Sequence, residues 1–321
     1  MPKMKIRFVA VAGLLLLIIA VGCFYAFSSS SASSGGLECM YGDSLSVRLS
    51  GSPAFPKEVA FAGEQMPLRF FDVRESLERE LIVNANFHSN TLQYLKRSHR
   101  YFPVIEPLLA ENGIPDDFKY LSLIESDFLN RVSPKGASGF WQFMKDAAIE
   151  YGLEINAEVD ERYHLEKSTV AACKYLNEAY KLFGNWTMAA ASYNMGKAGL
   201  SKQAKQQQSD SYYDLLLNEE TMRYLYRITA VKLILENPEV YGFHVPEEEK
   251  YQPVPFTEAE VKTAIGDWAQ FAAEHNTNYK ILKLLNPWLR DNKLVNAARK
   301  TYIVKIPAAE IRQSLTADNC Q

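Results

Sequence analysis

Asp116-Asp117-Phe118-Lys119-Tyr120-Leu121-Ser122-Leu123-Ile124-Glu125-Ser126-Asp127-Phe128-Leu129 reads as a helix in which one carboxylate interrupts an apolar face. Pro115 suits a first helical turn, where an N–H would have no partner, and the acids at 116 and 117 sit at the positive end of the helix dipole. Phe118, Leu121 and Ser122 lie seven, four and three residues before Glu125, and Phe128 and Leu129 three and four after it. A continuous helix would put all of them on the face of Glu125. A carboxyl so surrounded loses water, which penalises its charged form and raises its pKa. It can then hold a proton near neutral pH and act as a general acid. A Glu solvated at the rim of a helix fits the same periodicity, so spacing alone leaves both readings open.

Helices are expected on both sides. From Asp72, read as an N-cap, Val73, Leu77, Leu81 and Ile82 and then Leu92 and Leu95 recur at helical spacing, and the Asn-rich stretch 84–90 should divide them into two helices. After Pro103 a further helix is predicted from Val104 to Glu111, stopped by Asn112-Gly113. Ser168 is read as the cap of a helix ending at Gly184, Thr187 as the start of a small-residue helix, and Glu219 to Glu236 as another before Pro238. Between 72 and 236 there is almost no strand signal, which predicts a compact α-domain. Residues 54–72 lack periodicity and should wrap a larger body. Beyond Pro253 and Pro255, two short helices (Asp267–Ala272 and Tyr279–Leu285) and the alternating Thr301–Ile306 predict a small α/β module.

With 321 residues, 47% hydrophobic, 23% charged and a net charge of −3, the composition is that of a globular protein of roughly two domains. No long basic run offers the electrostatic footprint of nucleic-acid binding. Lys3, Lys5 and Arg7 precede an uncharged run from Phe8 to Phe27 that would reach about 30 Å as a helix, enough to cross a bilayer with the amino end in the cytoplasm. Within it Ala20-Val21-Gly22-Cys23 resembles a lipobox, so the segment reads as a lipoprotein signal or a signal anchor. Ser28 to Gly36 should behave as a tether. The rest of the chain is then expected on the periplasmic side of the cell envelope, anchored to a membrane. A Cys39–Cys320 disulfide is permitted there without being dictated. The cysteines and the five histidines show no metal-ligand spacing, and neither a metal nor another cofactor is expected.

Two further blocks carry chemistry. In Ser133-Pro134-Lys135-Gly136-Ala137-Ser138-Gly139, two glycines three apart suit a sharp bend or the close approach of a ligand. Trp141-Gln142 just after them could supply an apolar wall and a two-way amide, although for such a fragment read alone a surface turn entering a buried aromatic helix is the commoner explanation. Ser192-Tyr193-Asn194-Met195-Gly196 is unremarkable alone. Joined in order and spacing with Glu125-Ser126 and with Glu220-Thr221, Tyr224 and Arg227-Ile228, these blocks resemble the lytic transglycosylases, most closely the membrane-bound lytic murein transglycosylase D group. Residues Trp268 to Pro307, with Leu284-Leu285-Asn286-Pro287, resemble a degenerate LysM module, a peptidoglycan-binding unit. Ser192 in place of the commoner Ala, and Phe140-Trp141 in place of Leu-Met, depart from the pattern and bear on cleft shape.

The resemblance implies a mainly α fold: a lysozyme-like helical domain with an N-terminal helical extension and a small C-terminal α/β LysM-like module. The expected order is signal or anchor at 1–27, linker at 28–53, wrapping and helical extension at 54–107, catalytic domain at 108–245, LysM-like module at 250–308 and tail at 309–321. It also implies a monomer that works on peptidoglycan glycan strands and is held at the membrane by its amino-terminal segment. The β-1,4 bond between N-acetylmuramic acid and N-acetylglucosamine would be cleaved without water, leaving 1,6-anhydro ends. Glu125 would protonate the leaving oxygen and then, as its conjugate base, take the proton of the muramoyl 6-hydroxyl. Ser126, Ser133 and Gln142 would bind glycan, Tyr193 would hold or polarise Glu125, Asn194 would brace its loop, and Glu220 and Tyr224 would line the cleft. Asp127, about 200° around a continuous helix, would point elsewhere, which fits substrate assistance in place of a second carboxylate. A goose-type lysozyme-like hydrolase and a non-catalytic wall-binding scaffold are the alternative readings.

Overall fold

Among residues 51–308, which the computed structural model describes, there are ten α-helices and two small antiparallel sheets. The anchor at 1–27, most of the linker, the Cys39–Cys320 pair and the tail at 309–321 lie outside the described residues. The mainly α architecture with a small α/β module towards the carboxyl end is the one expected.

The lead-in wraps the helical body through a hairpin, β1 (Ala60–Phe61) with β2 (Glu64–Gln65), turned by Ala62 and Gly63 at positive φ. Phe61 is fully buried with its ring edge-on to Phe118, centroids 5.2 Å apart. The Asp117 carboxylate accepts from the Ala62 N–H at 2.6 Å and from Lys232 Nζ at 2.7 Å. Glu64 accepts from the N–H groups of Trp186 (2.6 Å) and Thr187 (2.9 Å), which open a helix and would otherwise lack partners. Glu64→Ala is therefore expected to cost about 1–2 kcal/mol, read as a lower urea midpoint at unchanged slope. An unmoved midpoint would mean that this clamp contributes nothing.

The division near Asn84–Asn90 falls at Phe87, between α1 (Phe71–Asn86) and α2 (His88–Glu111). Three local expectations are corrected. Pro103 starts no new helix, because α2 runs unbroken through Pro103 and Pro107. Both prolines lie on the exposed face, where water can serve the carbonyls they leave free, while Ile105 and Leu109 anchor the opposite face in the core. Ser168 is no cap: α5 (Leu165–Phe183) begins three residues earlier, and the Ser168 hydroxyl bonds back to the Leu165 carbonyl at 3.2 Å. Asp72 lies inside the first turn of α1, whose N-cap is Phe70.

The stop at Gly184 holds, with φ +75°. Next, α6 (Trp186–Met195) is capped by the Asn185 side chain, and α8 (Glu219–Glu236) by Asn218. Between them α7 (Lys197–Gln207) escaped the periodicity reading because Leu200 is its one buried residue. Two shorter helices are α3 (Phe118–Ser126) and α4 (Lys145–Glu150). In the core α8 packs against α1, α3 and α6.

The carboxyl-terminal module pairs β3 (Phe256–Val261) with β4 (Tyr302–Pro307) around α9 (Trp268–Glu274) and α10 (Tyr279–Leu285). Strand β3 was not foreseen: most of its residues are exposed, so they need no apolar alternation. A second core of Trp268, Leu282, Trp288, Leu289, Val304 and Ile306 includes Val159 from the helical body. Backbone bonds from Asp160 N to Trp288 O (2.9 Å) and Arg290 N to Glu158 O (2.7 Å), with a Lys305–Glu166 ion pair, join module and body.

Candidate active site

Glu125 stands in the last turn of α3. The helix ends one residue later because Asp127 and Phe128 take left-handed conformations, φ 53° and 51°. Residues 128 and 129 therefore do not extend the face of Glu125, contrary to the periodicity reading. Phe128 turns instead into an aromatic cluster with Tyr101, Phe102 and Phe140. Asp127 accepts from the Tyr94 hydroxyl at 2.6 Å, and its carbonyl accepts from Arg97 at 3.0 Å. It is engaged by α2 because the helix has ended, and not because of a 200° turn.

Glu125 keeps some exposed surface while its carboxyl is densely packed. Burial raises the carboxyl to about 6, against a hydrogen bond from Tyr224 and the charge of Arg227, which lower it; Glu220 adds to the rise. The Tyr224 hydroxyl donates to Glu125 Oε1, and Tyr224 itself is fully buried. The tyrosine that holds Glu125 is thus Tyr224 and not Tyr193. The Tyr193 hydroxyl is spent on the Trp141 carbonyl at 2.8 Å. Its phenol, raised first by burial and next by the charge of Glu125, is nevertheless a neighbour. Asn194 ties α6 to α8, donating to Glu220 at 3.2 Å and accepting from the Thr221 hydroxyl at 2.7 Å.

Three residues expected to touch glycan make hydrogen bonds within the fold. Ser126 is buried, donating to the Ser122 carbonyl and accepting from the Phe128 N–H, both at 3.2 Å, which pins the helix end. Ser133 accepts from the Ala137 N–H at 3.0 Å and so closes its loop. Gln142 has φ 48°, and its amide nitrogen donates to the carbonyls of Gly139 (2.8 Å) and Arg131 (3.1 Å). Trp141 is no cleft wall: it is wholly buried, with Nε1 donating to Thr169 at 2.8 Å. Gly136 and Gly139 have φ +87° and +80°, as their spacing suggested.

The structure therefore gathers Glu125, Tyr193, Asn194, Glu220 and Tyr224, from α3, α6 and α8. Arg227 was quoted in the sequence pattern without a role; its place three after Tyr224 and seven after Glu220 is the signal that puts it on the same face. Among the described residues no group of three or more His, Cys, Asp and Glu side chains could hold a metal.

Residues 103–216 match the family model of the transglycosylase SLT domain, and residues 257–310 that of the soluble lytic transglycosylase C-terminal LysM-like domain. Residues 103–216 carry a transglycosylase SLT domain. Two relatives are the membrane-bound lytic murein transglycosylase D proteins of Escherichia coli (strain K12) and Escherichia coli O6:H1 (strain CFT073). Each is 28% identical over 196 residues, covering 58% of this chain and 42% of the relative. The chain thus spans less than half the length of these relatives. Glu125, Tyr193 and Asn194 fall inside the SLT match, whereas Glu220, Tyr224 and Arg227 follow its end.

Proposed function

We propose that this chain is a peptidoglycan lytic transglycosylase that cleaves the β-1,4 bond between N-acetylmuramic acid and N-acetylglucosamine without water, with Glu125 as acid and then base. One observation carries the reading: in an SLT domain, a packed carboxyl raised to about 6 keeps a hydrogen bond from Tyr224. Near neutral pH part of the population is protonated and can donate to the leaving glycosidic oxygen as the C1–O bond breaks. The carboxylate left behind, steadied by the Tyr224 hydroxyl, removes the proton from the muramoyl 6-hydroxyl as O6 bonds C1 and closes the anhydro ring. The chemistry needs neither a metal nor a cofactor. Asp127, the acid nearest in sequence, is engaged by Tyr94 and Arg131, which supports a single-carboxylate mechanism over the paired carboxylates of ordinary glycosidases.

In this reading residues 108–245 do the cleavage and the LysM-like module at 250–308 holds glycan. The amino-terminal segment tethers a monomer at the periplasmic side of the envelope. No helix among the described residues is long and apolar enough to cross a membrane, so tethering rests on the sequence of residues 1–27.

Digestion of purified sacculi followed by mass spectrometry tests the proposal. The expected products end in 1,6-anhydro-muramic acid, lighter by one water than reducing ends. Reducing-end products would favour the goose-type hydrolase. Intact sacculi that bind the protein would favour a wall-binding scaffold.

A further inference from the structure

Arg227 has no part in the roles above, yet three observations direct it at Glu125. It shares a face of α8 with Glu220 and Tyr224, and its guanidinium carbon lies 5.9 Å from the centre of the Tyr224 ring. Its Nε is buried and has no hydrogen-bond partner among the described residues. A donor left so costs on the order of 1–3 kcal/mol unless something recovers it. Its charge is felt on two other helices. It holds the Glu125 carboxyl down against the larger effect of burial, and it pulls back the Tyr94 phenol, which burial and Asp127 push up. The charge of Arg227 thus bears on both the Glu125 carboxyl and the Tyr94 phenol.

We propose that Arg227 is a positioning residue whose positive charge stabilises the anionic form of Glu125 between its two proton transfers. The inference rests on the reading of Glu125 as acid and base. In the first transfer Glu125 gives its proton to the glycosidic oxygen and the C1–O pair leaves with that oxygen. In the second, the carboxylate takes the O6 proton while the O6 pair forms the new bond to C1. Between them Glu125 carries a negative charge and C1, having lost the bonding pair, a positive one, and a fixed cation on the carboxylate side of a poorly hydrated site favours the anionic form of Glu125.

The groups acting on Glu125 are Tyr224, Glu220 and Arg227 from α8, with Tyr193 close by on α6. Arg227 is the one cation in that set, and Glu220 works against it. Without Arg227 the like charge of Glu220 is unopposed, so Glu125 keeps its proton to higher pH and yields it less readily.

The test compares Arg227→Met and Arg227→Lys with the parent chain in sacculus digestion from acid to alkaline pH, with melting midpoints recorded. Arg227→Met should lower turnover at the optimum about tenfold and move the alkaline limb upward by roughly half a pH unit. Sacculus binding should be unchanged, and Arg227→Lys should restore most of both effects. Activity that falls with the limb unmoved, or a Lys variant no better than Met, would show that Arg227 only packs against Tyr224 and would overturn the proposal. Full activity in Arg227→Met would overturn it as well. Arg227→Gln reads the same limb should the Met variant not fold. Glu125→Gln, run alongside, separates the two ideas: if it stays active, the reading of Glu125 fails, whereas an inactive Glu125→Gln beside an unaffected Arg227→Met sinks only the role of Arg227.

Discussion

Glu125→Gln is expected to reduce sacculus lysis by about a thousandfold or more while binding persists, because one side chain would lose both proton transfers. The amide keeps the shape and can still accept from the Tyr224 hydroxyl, so the loss is chemical and not a packing defect. In the parent chain activity should decline as pH rises through about 6, since the donating form is the protonated one. A flat profile between about pH 5 and 9 would contradict this. The stability of the parent chain should fall over the same range. Burial raises the carboxyl from 4.5 to about 6, so the fold favours its neutral form. That contribution is complete below the unfolded value and is lost as pH rises through the folded one. At pH well above 6 the carboxylate then costs about 2 kcal/mol that Gln does not. Glu125→Gln should melt higher than the parent chain in alkaline buffer and level with it in acid. An inactive variant that is more stable than its parent at alkaline pH would identify Glu125 as a functional residue held at the expense of stability.

Gly139→Ala is expected to be the most damaging single methyl in the loop from 131 to 144. A Cβ there would lie 1.8 Å from the Arg162 carbonyl oxygen and 2.5 Å from its carbon, and the φ of +80° already disfavours a side chain. The neighbour cannot step back easily. Arg162 is held by Asp160 at 2.7 Å and donates to the Gly136 carbonyl at 3.0 Å, so moving it disturbs the loop again. A loss of about 3 kcal/mol or more is expected, measured as a fall in urea midpoint. Gly136→Ala is the control. Its φ of +87° is similar, but nothing lies within 4 Å of the added atom, and about 1 kcal/mol should suffice. Equal losses would mean that the Arg162 contact does not constrain the loop. Activity should suffer in Gly139→Ala too, since the Phe140 carbonyl accepts from Ser122, which lies in the turn preceding Glu125.

Much of the helical frame was legible because it is locally encoded. The division near Phe87, the left-handed stop at Gly184 and the span Glu219–Glu236 follow from Asn, Gly and Pro punctuation and a 3.6-residue period, which act over a few neighbouring residues. The same holds for the placement of Glu125 among apolar neighbours. Where the reading slipped, a partner distant in the chain was responsible, or a face turned to water. Nothing near Asp127 announces that α3 stops there; Tyr94 and Arg97, about thirty residues earlier, hold it in a left-handed conformation. The prolines of α2 are tolerated because their side of the helix faces solvent, and β3 exists because β4, far later in the chain, pairs with it, Phe256 opposite Pro307 at one end and Val261 opposite Tyr302 at the other.

The amino-acid sequence by itself determined which residue types could serve: one carboxylate on an apolar helix, two tyrosines, an amide, and glycines where the chain must bend. Only the tertiary structure decided how they divide the work. Tyr193 and Tyr224 are interchangeable as letters, but Trp141 claims one hydroxyl and Glu125 receives the other, and Arg227 becomes relevant only once α8 lies against α3. The physical reason is range. Helix propensity and capping are settled within a turn or two, whereas burial, hydrogen-bond choice and the field at a carboxyl are set by whichever distant segments pack around it.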